Sequence, residues 1–112
     1  MKNFDSNIIQ LIEFEPIGAP DVGYIGIAEF RKNIPFEIKR VFWTYYTPHH
    51  VIRGRHAHHE LKQILVAVAG IITVRTEDRQ GNHLEFILDK PNIGLYLPPD
   101  YWHTMQFSHS GM

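Results

Sequence analysis

The chain has 112 residues, 44% of them hydrophobic, and a formal net charge of -1. That suits one domain with a packed core over residues 1–112 and argues against disorder. The near-zero charge gives no general attraction for nucleic acid or an acidic membrane, so anion binding has to be local. With no cysteine, disulfides, thiol catalysis and Cys-type zinc sites are excluded.

Asn7 to Phe14 fits a short helix or a strand. Gly23 to Glu29 is predicted as a strand, as is Ile38 to Tyr46, which Pro48 ends. Gln63 to Ala69 has the composition of a buried strand, stopped by Gly70 and continued by Ile71 to Thr76. Asp78-Arg79-Gln80-Gly81-Asn82 is a hairpin turn, with Gly81 available for positive φ, and His83 to Leu88 returns from it. Pro91 to Gly94 is a second turn, Leu95 to Leu97 a short strand ended by Pro98-Pro99, and Trp102 to Phe107 a final strand. Many short strands between Gly/Pro turns predict an all-β sandwich or barrel. Nothing before residue 20 has the pattern of a leader, and there is no 18-residue apolar run. The expectation is a cytoplasmic protein.

Five of the eight histidines lie between His49 and His59. In Arg53-Gly54-Arg55-His56-Ala57-His58, two histidines at i and i+2 share one face of a strand. Arg53 can hold an anion beside them. Histidine gives and takes protons near pH 7 and also binds metals, so the pair suits proton transfer on an anionic substrate or a metal site. His49-His50, His83 and His109 carry no comparable pattern and are assigned to solvated surface.

The spacing around the pair resembles the first signature of the cupins. His56-x-His58 is followed by four residues, Gln63, six residues and Gly70, with an amide where cupins carry a carboxylate. Pro98, Asp100, His103 and Phe107 fall on the second signature, whose glycine and asparagine are replaced and whose histidine is kept. The implied fold is a cupin double-stranded β-helix, a jelly-roll barrel. Losing the carboxylate weakens a metal site without abolishing it, since three imidazoles still hold zinc. A metal-free acid–base site is the favoured expectation.

A narrower resemblance rests on Pro35-Phe36-Glu37-Ile38-Lys39-Arg40-Val41, Arg53-Gly54-x-His56-Ala57-His58-x-x-Leu61-x-Gln63, Gly94-Leu95-Tyr96 and Trp102-His103-x-Met105-x-x-Phe107-Ser108. From about Asp21 onward the chain resembles the WxcM-like nucleotide-sugar 3,4-ketoisomerases, which are metal-free cupins. The resemblance implies an intramolecular oxidoreductase that moves the keto group of dTDP-4-keto-6-deoxyglucose from C4 to C3 through an enediolate, with no cofactor. It implies His56 and His58 as the catalytic pair, and Arg53, Arg40, Gln63, Trp102 and His103 as substrate-binding residues. For Trp102 packing in the core is the competing expectation. It also implies a homodimer that exchanges strands near Ile25–Phe30, a role in deoxysugar biosynthesis for lipopolysaccharide or another surface polysaccharide, and a galacto-configured product associated with His103.

The chain departs from the family pattern at Val22, at Phe42-Trp43 where members carry Tyr-Tyr, and at Ser110-Gly111-Met112 where members continue with a further strand. The barrel is accordingly expected to be incomplete at its C-terminal end. Two alternatives stay open: a non-catalytic sugar-nucleotide-binding cupin, and a metal-dependent cupin isomerase or dioxygenase.

Overall fold

The computed structural model describes residues 4–49, 51–56 and 60–108, with the backbone alone at Arg55 and His56. The described elements are strands: β1 (Gln10–Glu13), β2 (Ile17–Ala19), β3 (Gly23–Ile25), β4 (Ile52–His56), β5 (Gln63–Val66), β6 (Ile71–Glu77), β7 (His83–Leu88), β8 (Ile93–Leu97) and β9 (Trp102–Ser108). No described helix is long and apolar enough to cross a membrane. One sheet runs β1-β8-β5 and a second β4-β9-β6-β7, both antiparallel, while β2 and β3 form a separate hairpin.

The apolar periodicity explains the layering. In β6, Val74 and Thr76 are buried while Arg75 between them is exposed, the period-2 signature of a strand with one face in the core. Val74 and Leu88 from the larger sheet meet Leu95, Leu97 and Ala67 from the smaller, and Leu65, Ile72, Phe86 and Met105 pack around them. This cluster fills the space between the two sheets. β8 is buried on both faces: Leu95 and Leu97 point into that space, and Tyr96 points the other way, into a cluster with Ile12, Phe14 and Ile34. The Tyr96 hydroxyl donates to the Ser6 carbonyl at 2.8 Å. Burial, and secondarily the Asp5 carboxylate, push its phenol above the ordinary value. Gly94 lets β8 lie this close, since a Cβ there would come 2.9 Å from Ile64 Cγ2 and 3.0 Å from Phe14 Cε2.

The expected hairpin forms. Gly81 has φ of 82°, and the Asp78 carboxylate accepts hydrogen bonds from the backbone N–H of Gln80 and Asn82 and from the Asn82 side chain. Those bonds, the Asn82 side chain first, hold the Asp78 carboxyl below its usual value.

Two expectations are corrected. The strand at Gly23–Glu29 shortens to Gly23–Ile25, and Ile38 to Tyr46 forms no strand. The β-branched and aromatic composition is present, but a strand needs a neighbour for its N–H and C=O groups, and the described sheets offer this segment none. Val41, Phe42, Trp43, Tyr45 and Tyr46 are exposed in consequence. The ambiguous Asn7–Phe14 segment resolves as β1, and β2 is a strand that the sequence pattern did not reveal.

Asp100 sits where the cupin pattern carries glycine, and its φ is 72°. Aspartate tolerates this left-handed conformation better than most residues, and its Oδ1 also accepts from Arg79 Nη2 at 2.9 Å. Asp100→Gly and Asp100→Ala lose the same ion pair, but only glycine relieves the backbone. Asp100→Gly is therefore expected to be more stable than Asp100→Ala by about 1 kcal/mol, read from urea midpoints. Equal midpoints would show that the backbone is unstrained there.

Candidate active site

The register of β4 on β9 builds the site. Arg53 stands opposite Met105, Gly54 opposite Thr104, and His56 opposite His103, with a bulge between Gly54 and His56. Residues three apart on a regular strand face opposite sides. The bulge changes that, because positions 53 and 56 come to stand opposite Met105 and His103, which share a face of β9. The motif's arginine and first histidine thus occupy register positions on the same side. His58 lies outside the described residues.

Glycine is required at position 54. Its φ is 90°, and a Cβ there would lie 3.0 Å from the His103 carbonyl oxygen and 3.6 Å from His103 Cδ2. Only the absence of a side chain lets β4 turn over His103 at this distance. Gly54→Ala is expected to cost about 1–3 kcal/mol through the combined strain and clash, read from a thermal unfolding scan. Unchanged stability would show that the β4 bulge does not depend on glycine.

His103 is 3% exposed and Thr76, directly opposite it on β6, is 2% exposed. Directly opposed residues on antiparallel strands share a face. The face is the one that carries Val74 and Met105, so His103 and Thr76 point between the sheets. On the smaller sheet Gln63, half-buried, is opposite Leu97 and two residues before Leu65, both of which belong to the same inter-sheet cluster. Both faces therefore change from apolar to polar at the same end. That end is fixed by connectivity: β4 leaves there towards β5, and β8 returns there through Pro98–Tyr101 to β9. Arg53 is exposed at the side of this end.

Of the remaining expected residues, Trp102 faces away from this interior and Arg40 belongs to the strandless segment 38–46. Trp102 alternates with His103 and is 43% exposed, so it is not part of the core. The Arg40 guanidinium lies 5.0 Å from the centroid of the Phe42 ring, a cation–π contact within the strandless segment. Thr76 was missed in the sequence. Its signal was present in Ile72-x-Val74-x-Thr76, an inward-facing alternation whose last member is polar.

The arrangement provides imidazole, amide and hydroxyl groups at one partly dry end of a β-sandwich, with a guanidinium at its edge. Such a site suits proton transfer on a polar, anionic small molecule.

Comparison with known proteins places the chain in a family. Residues 6–112 match the family model described as FdtA, WxcM-like, C-terminal. Over 84 residues the chain is 44% identical to the TDP-4-oxo-6-deoxy-alpha-D-glucose-3,4-oxoisomerase of Aneurinibacillus thermoaerophilus, spanning 74% of this chain and 59% of that protein. The chain thus covers somewhat over half the length of this relative. Among solved structures, QdtA from Thermoanaerobacterium thermosaccharolyticum, a sugar 3,4-ketoisomerase in complex with TDP, superimposes with a TM-score of 0.82 at 32% identity, over 88% of this chain and 70% of that one. The WlaRB TDP-quinovose 3,4-ketoisomerase of Campylobacter jejuni gives 0.84 at 32% identity, over 97% and 79%. The all-β fold is that of these ketoisomerases, the described strands lying in separate sheets that do not close into a barrel, and the chain belongs to the WxcM-like, FdtA family.

Proposed function

We propose that the chain is a nucleotide-sugar 3,4-ketoisomerase acting on dTDP-4-keto-6-deoxyglucose. The observation that carries this is the polar end of the sandwich, where the Arg53-Gly54-x-His56 motif meets buried His103 in register. Family membership and the relatives' activities support it. A C4 ketone acidifies the proton on C3. A base removes that proton, the electrons move into an enediolate with its charge on O4, the O3 hydroxyl proton passes to O4, and a proton delivered to C4 leaves the ketone at C3 and a hydroxyl at C4. We assign the proton transfers to His56 and His58. Arg53, with Arg40, pairs with the diphosphate or with the developing oxyanion. Gln63 bonds a sugar oxygen and His103 takes part in C4 stereochemistry, while Trp102, on the other face of β9 from His103, is given no contact to the substrate.

The site is proposed to work without metal, because Gln63 is neutral where a metal cupin supplies a carboxylate. Extended dialysis against EDTA is expected to leave turnover unchanged. A stoichiometric transition metal whose removal abolishes turnover would overturn this.

His56→Asn and His58→Asn are each expected to lower turnover by about 10²–10⁴-fold, the usual loss on removing a general acid or base, with dTDP affinity nearly intact. Arg53→Ala is expected to raise KM first, since a charge-assisted contact acts on ground and transition states alike. In D2O, an NMR time course should show deuterium entering at C4. Binding of dTDP with no isomerisation would favour a binding module instead.

We also propose a homodimer. The support is a run of exposed apolar side chains, including Ile25, Ile27, Val41, Phe42, Trp43 and Tyr45, beside strands with open edges. A second copy would supply the missing neighbour, with the Ile25–Phe30 region exchanged. Light scattering should report twice the chain mass; a stable monomer at micromolar concentration contradicts it. The reading extends to a cytoplasmic enzyme in deoxysugar biosynthesis for surface polysaccharides such as lipopolysaccharide.

A further inference from the structure

The Thr76 hydroxyl is a buried polar atom with no hydrogen-bond partner among the described residues. Valine has the same shape, would complete the inward series after Ile72 and Val74, and would remove a desolvated hydroxyl. Leaving such a group unpaired costs about 1–3 kcal/mol. The hydroxyl therefore has no structural use in the state described. Its position is specific, however. Thr76 is directly opposite His103 across the β6–β9 ladder, on the same face, and both are almost wholly buried. Directly opposed residues on antiparallel strands have Cβ atoms about 4.5–5.5 Å apart, a gap that a change of rotamer lets a hydroxyl and an imidazole bridge. On its other side Thr76 is opposite Leu84, which offers no polar group.

We propose that Thr76 is a positioning residue that acts through His103. When the site is occupied, its hydroxyl donates to one ring nitrogen of His103. A neutral imidazole carries one donor and one acceptor nitrogen, so a hydroxyl donating to the acceptor fixes the tautomer and leaves the proton on the other nitrogen. The ring is then held in one orientation and one protonation pattern while the sugar is turned over. The inference deepens the isomerase reading and rests on it for its kinetic consequence only.

The test uses the full chain with Thr76→Val and Thr76→Ser. The isosteric Thr76→Val should fold with unchanged or higher thermal stability. It should lower kcat by about tenfold, the effect of one hydrogen bond made in the transition state, with little change in KM. Thr76→Ser should restore kcat. In a His103→Gln background, Thr76→Val should cause no further loss. If Thr76→Val keeps wild-type kcat, or if its loss is the same with and without His103, the proposal is wrong. A second readout does not need turnover. In the dTDP complex, the ring ¹⁵N shifts of His103 should report a hydrogen-bonded acceptor nitrogen in wild type and Thr76→Ser, and a changed shift at that nitrogen in Thr76→Val. Identical ring shifts in wild type and Thr76→Val would overturn the proposal. A wild-type protein that binds dTDP without isomerising it would remove the isomerase reading and leave this comparison decisive.

Discussion

The approach of β4 to His103 at Gly54 is the constraint on which the site depends. A Cβ at that position would sit 3.0 Å from the His103 carbonyl oxygen. Because it is absent, the chain can take a φ of 90° and insert one extra residue into the strand. That residue changes which positions face inward. Without the bulge Arg53 and His56 would fall on opposite sides of the sheet. With it, positions 53 and 56 stand on one side, opposite consecutive inward positions of β9. A motif that looks like a string of functional residues is thus held together by the one member that has no side chain.

The rigidity behind that arrangement comes from β8. It is buried on both faces, so its register with β1 and β5 is specified twice. Pro98 and Pro99 stop the strand, and Asp100 in the left-handed region turns the chain into β9. The ion pair from Arg79 ties this turn to the β6–β7 hairpin. His103 is therefore delivered by a strand, a proline stop and a fixed turn, rather than by a free loop. On the outer face, Arg75 donates to Glu85 at 3.1 Å and to Gln106 at 3.2 Å, linking β7, β6 and β9. Those exposed contacts contribute little energy but help fix the register that sets His103 opposite Thr76.

The second half of the chain was legible in the sequence because its information is local. The strand His83–Leu88 and the hairpin before it follow from alternation and from Gly81. The first half was less so. Ile38 to Tyr46 has the composition of a strand, but pairing is a property of a neighbour and is not written in the segment. At the site, the spacing placed His56 on a strand, which is β4, and the loss of glycine at Asp100 looked like a departure from the pattern. The structure shows the same backbone conformation met by a residue that tolerates it. Trp102 and His103 are adjacent in sequence and opposite in exposure, which alternation alone could state but could not orient. Thr76 was legible only as the polar end of an inward alternation, since its place opposite His103 depends on a partner across the sheet that the segment does not name.

The distribution of polarity explains how one small sandwich holds both a core and a site. Along β6 and β9 the inward residues begin as Ile72, Val74, Met105 and Phe107 and end as Thr76 and His103. Along β5 and β8 the corresponding change is from Leu65 and Leu95 to Gln63 beside Leu97. Buried polar groups are costly when unpaired. Confining them to one end limits that cost to the last layer, while the layers behind remain apolar and close-packed. The same end is where the chain leaves β4 and enters β9, so the connections needed to reach a ligand are already there. A site at the closed middle of the sandwich would have broken the core that holds the two sheets together. At its end, His103 and Thr76 keep the dryness that strengthens hydrogen bonding, with Arg53 exposed at the solvent edge.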